Sequence, residues 1–198
     1  MSAGACLGAV LALRHTKLFA AAALHSGVPC GAAFNAAGAL QAMSSGPQHD
    51  VGAIAFEARA QVSSRALPLP VCLLHGERDR VVAEKNATEL LRQFLIFNGR
   101  FTPDTDGLPA ADGREATRLP NGRTVTREDY ILDGRVVARS LRVSALGHAW
   151  SGGDDAFAYN DREAPDATAL FGEFFSAQLE RRPVPAPRAF RESIGEKP

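Results

Sequence analysis

The chain reads as an α/β fold built on a short parallel sheet, and three observations say so. Stretches with apolar residues at helical spacing alternate with short, nearly unbroken apolar runs. Those runs end in polar, glycine-containing segments, "LHSG", "LLHGERD" and "SALGHAW". Parallel strands buried on both faces look like this, and in such sheets functional groups collect at the carboxyl ends of the strands. The helical stretches between the runs leave room for the crossovers that parallel strands require.

Residues 3 to 15 place Cys6, Leu7, Val10, Leu11 and Leu13 at mixed i+3 and i+4 spacings, which predicts a helix buried on most sides. "LFAAAALHSG" then predicts a central parallel strand, covered on both faces. Residues 32 to 64 are Ala-rich and broken at "SSGPQHD", which predicts two flanking helices. In "PLPVCLLHGERDRVV", Val71 to Leu74 form a strand and His75-Gly76 turns the chain. A helix over about Glu84 to Phe97 follows, with Leu90, Leu91, Phe94 and Leu95 on its apolar face. Residues 98 to 128 are rich in Gly, Pro, Asp and Arg and predict a surface excursion, with a hairpin at "LPNGRTV". "RVVARSLRVSALGHAW" predicts the last strand and its loop, and residues 166 to 180 a final helix carrying Leu170, Phe171, Phe174 and Phe175. The organisation expected is one domain over 1–180 and a Pro-rich, disordered tail over 181–198.

Composition narrows the function classes. Among 198 residues, 22 Lys and Arg balance 22 Asp and Glu, so no charge excess argues for nucleic acid or an anionic membrane as partner. The longest apolar stretch, around Leu18 to Leu24, is far too short to span a bilayer. Cys6, Cys30 and Cys72 are an odd set with no CxxC spacing, which speaks against a zinc site. They are read as free thiols, with one disulfide as the alternative in a secreted protein.

Three polar residues sit where the strand-end rule would place chemistry. Ser2 precedes the first helix, Asp79 follows the second strand and His148 follows the last. Their order, Ser, Asp, His, is that of α/β-hydrolases. A serine hydroxyl becomes a useful nucleophile when an imidazole takes its proton, and a carboxylate fixes that imidazole's tautomer. The Ala3 N–H, at the start of the helix, would face the developing oxyanion. Each element alone has a plainer reading: a helix cap, a turn residue, a structural histidine. Their joint occurrence in one order carries the reading.

The wording of "MSAGACLGAVLA", "LFAAAALHSGVPCGAA", "HGERDRVVAEKNA" and "LGHAWSGG…YNDREAPDATALFGEFF" resembles the poly(3-hydroxybutyrate) depolymerase-type esterases. These are α/β-hydrolases whose relatives include feruloyl and acetylxylan esterases. The resemblance covers most of residues 1 to 176, apart from the excursion near 99 to 128. It implies the C-terminal part of an α/β-hydrolase fold, with about three parallel strands, flanking helices and a hairpin excursion. It matches Ser2 to the family nucleophile, Asp79 to the triad acid and His148 to the general base. Trp150 and Ser151, with Gly152, would shape the substrate cleft beside the histidine. It further implies an ester substrate, small or polymeric, no metal or organic cofactor, and export from the cell. His75 is read as a satisfied structural histidine at a strand end, and Asn86 as structural near the start of a helix.

The family elbow is G-x-S-x-G on a strand-turn-helix, and here Met1 occupies the x before Ser2. The expectation is that Met1 is an internal methionine of a longer protein, with an unpaired sheet edge where the preceding strand belongs. A genuinely short protein and an N-terminal-nucleophile hydrolase are the two alternatives. Two functional readings follow: a serine esterase, or an inactive fragment or interaction module that keeps the triad letters without the oxyanion loop.

Overall fold

A computed structural model of the chain describes residues 1–62, 68–104 and 107–179. The tail expected over 181–198 lies outside the described residues. In chain order the elements are α1 (Ala3–Arg14), β1 (Ala22–His25), α2 (Ala36–Ser45), α3 (Val51–Ala60), β2 (Val71–Gly76), α4 (Glu84–Asn98), β3 (Gly113–Arg118), β4 (Thr124–Leu132), β5 (Arg135–Val143), β6 (Trp150–Ser151), β7 (Asn160–Asp161) and α5 (Ala167–Leu179). The main sheet has the order β1-β2-β5-β4-β3. Strands β1, β2 and β5 run parallel, while β4 and β3 continue the sheet antiparallel. The three parallel strands and the hairpin are those expected from the sequence. β6 and β7 form a separate two-residue parallel pair.

Strand β2 lies at the centre of the parallel part and is buried along its whole length. Val71 and Leu73 join Leu90, Leu91 and Phe94 of α4 and Ala5 and Ala9 of α1 in one core. Cys72 and Leu74 join Phe171 and Phe174 of α5 in a second core on the opposite face. Both faces of β2 are therefore covered, which is why its sequence shows an apolar run rather than an alternation. The strand continues through His75 and Gly76 instead of turning there.

Local chemistry sets the helix ends. Asn35 caps α2 by accepting from the Gly38 N–H at 2.8 Å, and Asp50 caps α3 by accepting from the Gly52 N–H at 2.9 Å. Helix α4 stops at Gly99, left-handed at φ 75, where the Gly99 N–H reaches Ile96 O and the Arg100 N–H reaches Leu95 O.

Two expectations are corrected. β1 is not a central strand: it pairs only with β2, and Ala21 to Ala23 are half-buried. Among the described residues no strand lies against its other side. For the same reason α1 is buried along one face only, through Ala5, Ala9, Ala12 and Leu13. Leu7 is 58% exposed and Leu11 37% on the face left open among the described residues. All three cysteines are free thiols, Cys30 and Cys72 buried and Cys6 half-buried.

The excursion is more ordered than its composition implied. Its hairpin turns at Leu119 to Arg123, closed by the Leu119 N–H on Arg123 O at 2.7 Å. A second turn at Asp133 (φ 51) and Gly134 (φ 73) joins β4 to β5. Asp-Gly is the residue pair that a two-residue hairpin loop favours.

Candidate active site

Ser2, Asp79 and His148 all stand at the carboxyl ends of the three adjacent parallel strands. Ser2 adjoins the end of β1, its N–H donating to His25 O at 3.0 Å. Asp79 lies just past β2, and His148 follows the loop after β5. Ser2 has φ 53 and ψ −125, a conformation that L-residues rarely adopt. Holding a side chain there costs of order 1–3 kcal/mol, a strain met at sharp strand-to-helix elbows. Its hydroxyl has no hydrogen-bond partner among the described residues. Ala3 is the first residue of α1, so its N–H has no acceptor within the helix and remains available to an anion.

The carboxylate of Asp79 is fully buried and bound on both oxygens. Oδ1 accepts from the Val81 N–H at 2.9 Å and the Val82 N–H at 2.8 Å, while Oδ2 meets His148 Nδ1 at 2.8 Å. Burial works against the charge on Asp79. The Val82 N–H, the His148 ring, the Ser26 hydroxyl and the Val81 N–H outweigh it and hold its pKa below the usual carboxylate value. A carboxylate in this state accepts the Nδ1 proton of His148, which leaves Nε2 free to take a proton. Gly76 makes this meeting of loops feasible. A Cβ there would fall 2.3 Å from Leu146 O, and the Arg78 N–H donates to that same carbonyl at 2.9 Å.

Behind the pair lies a buried layer that sequence reasoning did not assemble. His25 Nδ1 is 3.1 Å from Ser26 Oγ, and Ser26 has φ 51 and is fully buried. The Ser26 hydroxyl is thus shared between two neighbours: it helps to hold the Asp79 carboxyl below its usual range, and it meets the His25 ring, where the imidazole tautomer decides which atom donates. Burial above all, with the Met1 amino group next, pushes His25 down to about 3, so its ring is neutral. His75 is likewise buried and its pKa lowered, chiefly by burial. The expected satisfied histidine is corrected in one respect: among the described residues, neither His75 nitrogen has a hydrogen-bond partner. The neighbouring Val82 N–H is spent on Asp79. Asn86 donates through Nδ2 to Ala42 O at 2.8 Å and Met43 O at 3.1 Å, tying the start of α4 to the end of α2.

Trp150 stacks on His25, with centroids 5.4 Å apart at 27°, and meets Phe171 in a T-shaped contact at 5.6 Å. Ser151 is fully buried with an unpartnered Oγ, so its side chain does not line an open cleft. The exposed residue beside the histidine is Tyr159, whose ring meets His148 edge-on at 6.0 Å and whose φ is 60. The tip of the excursion fastens this segment. Asn121 donates to Ala164 O at 3.0 Å, and Arg123 pairs with Asp161 and donates to Glu163 O. Ser26 and Tyr159 both lie inside the family-like stretches, in "LHSG" and "YND", where their letters alone gave no role.

Among the described residues, no group of three or more His, Cys, Asp or Glu side chains is placed to hold a metal ion. No helix among them is long and apolar enough to cross a membrane.

The family described as "Esterase PHB depolymerase" matches residues 1–118. Poly(3-hydroxyalkanoate) depolymerase C of Paucimonas lemoignei is 30% identical over 136 residues, which is 68% of this chain and 33% of that protein. Acetyl xylan esterase from Aspergillus awamori shares the fold, with a TM-score of 0.53 at 21% identity, over 74% of this chain and 52% of that one. The chain thus spans about a third of the curated relative and about half of the solved structure. With a family match over more than half its length and a relative at 30% identity, this chain belongs to the Esterase PHB depolymerase family.

Proposed function

We propose that the chain is a carboxylic ester hydrolase working through Ser2, His148 and Asp79. The observation that carries the reading is the 2.8 Å contact between His148 Nδ1 and the buried Asp79, at the same sheet end as a strained, unpartnered Ser2. Ser2 Oγ attacks the ester carbonyl while His148 Nε2 takes its proton, and the Ala3 N–H stabilises the oxyanion. Collapse expels the alcohol, which takes the proton from His148 and leaves an acyl group on Ser2. Water, deprotonated by His148, then attacks the acyl-enzyme and frees the acid. Asp79 keeps the imidazole in the tautomer that both half-reactions need.

The relative's name points to polyhydroxyalkanoates or short hydroxyacyl esters, and the structural neighbour's to acetyl esters on polysaccharide, with feruloyl esters as a further alternative. Export from the cell is the setting that the family resemblance suggests. The competing reading is a catalytically inert module. The open side of β1 and the exposed Leu7 and Leu11 favour it, since they offer a surface for another segment of protein. Hydrolysis of p-nitrophenyl butanoate by this chain and by Ser2→Ala separates the two. The esterase reading expects a loss of at least about 10³-fold in the variant. Equal, background rates for both would sink it.

A further inference from the structure

A cavity of about 310 Å³ opens at Ser2 and runs between the start of α1, the loop after β1, and α2. Ser2 and the exposed Ala3 line it together with the buried Val28 and Ala42 and the half-buried Val10 and Met43. No charged side chain lines it, and the only polar side chains there are Ser2 and Cys6. Cys6 Sγ already accepts from the Val28 N–H at 3.2 Å.

The cavity's place relative to the chemistry decides which half of an ester it can take. The leaving alcohol must receive its proton from His148, so it departs on the histidine's side of the reacting carbon. Neither His148, Asp79, Trp150 nor Tyr159 lines this cavity, whereas Ser2 and the oxyanion-facing Ala3 do. The substituent that stays on the carbonyl carbon bonded to Ser2 Oγ once the alcohol has left is the acyl chain. We propose that this cavity is the acyl-chain site, that it selects uncharged aliphatic acids, and that Ala39 at its exposed rim and Met43 in its wall set the chain length.

The inference rests on the reading of Ser2 as nucleophile and deepens it. Burying one more methylene in an apolar site is worth about fourfold in kcat/KM, so the rise over successive acyl lengths should be steep until the chain outgrows the cavity. The test is the kcat/KM profile of this chain on p-nitrophenyl acetate, butanoate, hexanoate, octanoate and decanoate. Ala39→Phe and Met43→Ala are measured beside it. Because the readout is a ratio between substrates, it does not depend on how much of each variant folds.

The expected result is a rise of about tenfold or more from acetate to butanoate. Its maximum moves to shorter chains in Ala39→Phe and to longer chains in Met43→Ala. A flat profile, or a maximum that neither variant moves, overturns the assignment of the cavity while leaving the esterase reading intact. If no ester of any length is hydrolysed above the Ser2→Ala background, the underlying reading fails and the acyl site with it.

Discussion

Replacing Gly76 by Ala tests whether the Asp79 and His148 loops must touch for the site to work. A Cβ at this position would fall 2.3 Å from Leu146 O and 2.8 Å from Gly147 O. Real contacts of this type keep at least 3.0 Å, so the segments must part by 3.0 − 2.3 = 0.7 Å or more. Both opposing atoms are backbone, and no rotamer change can relieve the clash. Gly76 lies three residues before Asp79, and Gly147 immediately precedes His148. If the opening passes to the pair, the 2.8 Å contact lengthens to about 3.5 Å (2.8 + 0.7), where little of a hydrogen bond remains. Misplacement of this order costs on the order of 10² in rate, and the forced shift about 1–3 kcal/mol in stability. The assay is kcat/KM on p-nitrophenyl butanoate, with thermal melting and the downfield proton resonance of His148 Nδ1 as companions. Gly76→Ala with wild-type kcat/KM and an unchanged Nδ1 resonance would refute the reasoning.

Three further outcomes are expected. His25 has a folded pKa of about 3 against an ordinary 6.5, so the unfolded chain binds the extra proton between those values. The sign is a loss of stability as pH falls below about 6.5, amounting to about 2 kcal/mol by pH 5. His75 acts in the same direction, whereas the depressed Asp79 contributes fully above its unfolded value near 3.9 and loses that contribution only at lower pH. Melting temperatures at pH 7 and pH 5 should separate in the wild type and lie closer together in His25→Phe, where His75 alone still contributes; an equal separation in both would contradict the assignment. Ser26→Ala removes the hydroxyl between His25 and Asp79 and should lower kcat about tenfold with little change in KM, Ser26→Thr restoring part of it. A KM effect alone would be the wrong signature. Gln93→Leu strips the partners from Cys30 N, Cys30 O and Val51 O, all in buried surroundings, and denaturant titration should show a loss of about 3 kcal/mol.

The parallel strands and their crossover helices were legible because burial on both faces of β2 writes an unbroken apolar run. The boundary between α2 and α3 was legible at the break "SSGPQHD", which ends at Asp50, the residue that caps α3. β1 was misplaced for a physical reason: its apolar composition reports what the strand is suited to be covered by, not what lies beside it. The second hairpin was not legible although "LDGR" carries its turn signal, because β4, which precedes the turn, is polar and half-buried along most of its length and shows no apolar run. At the site, Asp79 and His148 were readable from their strand-end positions, and the structure joins them directly. Ser26 and Tyr159 were not readable, since their significance lies in positive φ and in neighbours distant in the chain. Ser151, read as a cleft residue from its place beside His148, is buried because Trp150 and Ser151 pair with Asn160 and Asp161 in β6 and β7.

The most direct test of the central claim is covalent trapping. The chain is treated with an alkyl p-nitrophenyl phosphonate, which reacts with activated serines, and the adduct is located by peptide mass spectrometry. A triad at Ser2, His148 and Asp79 gives one equivalent on Ser2, none there in Ser2→Ala, and labelling slowed by at least about 10²-fold in His148→Ala. Labelling of another serine, or labelling of Ser2 at the same rate with and without His148, would contradict it.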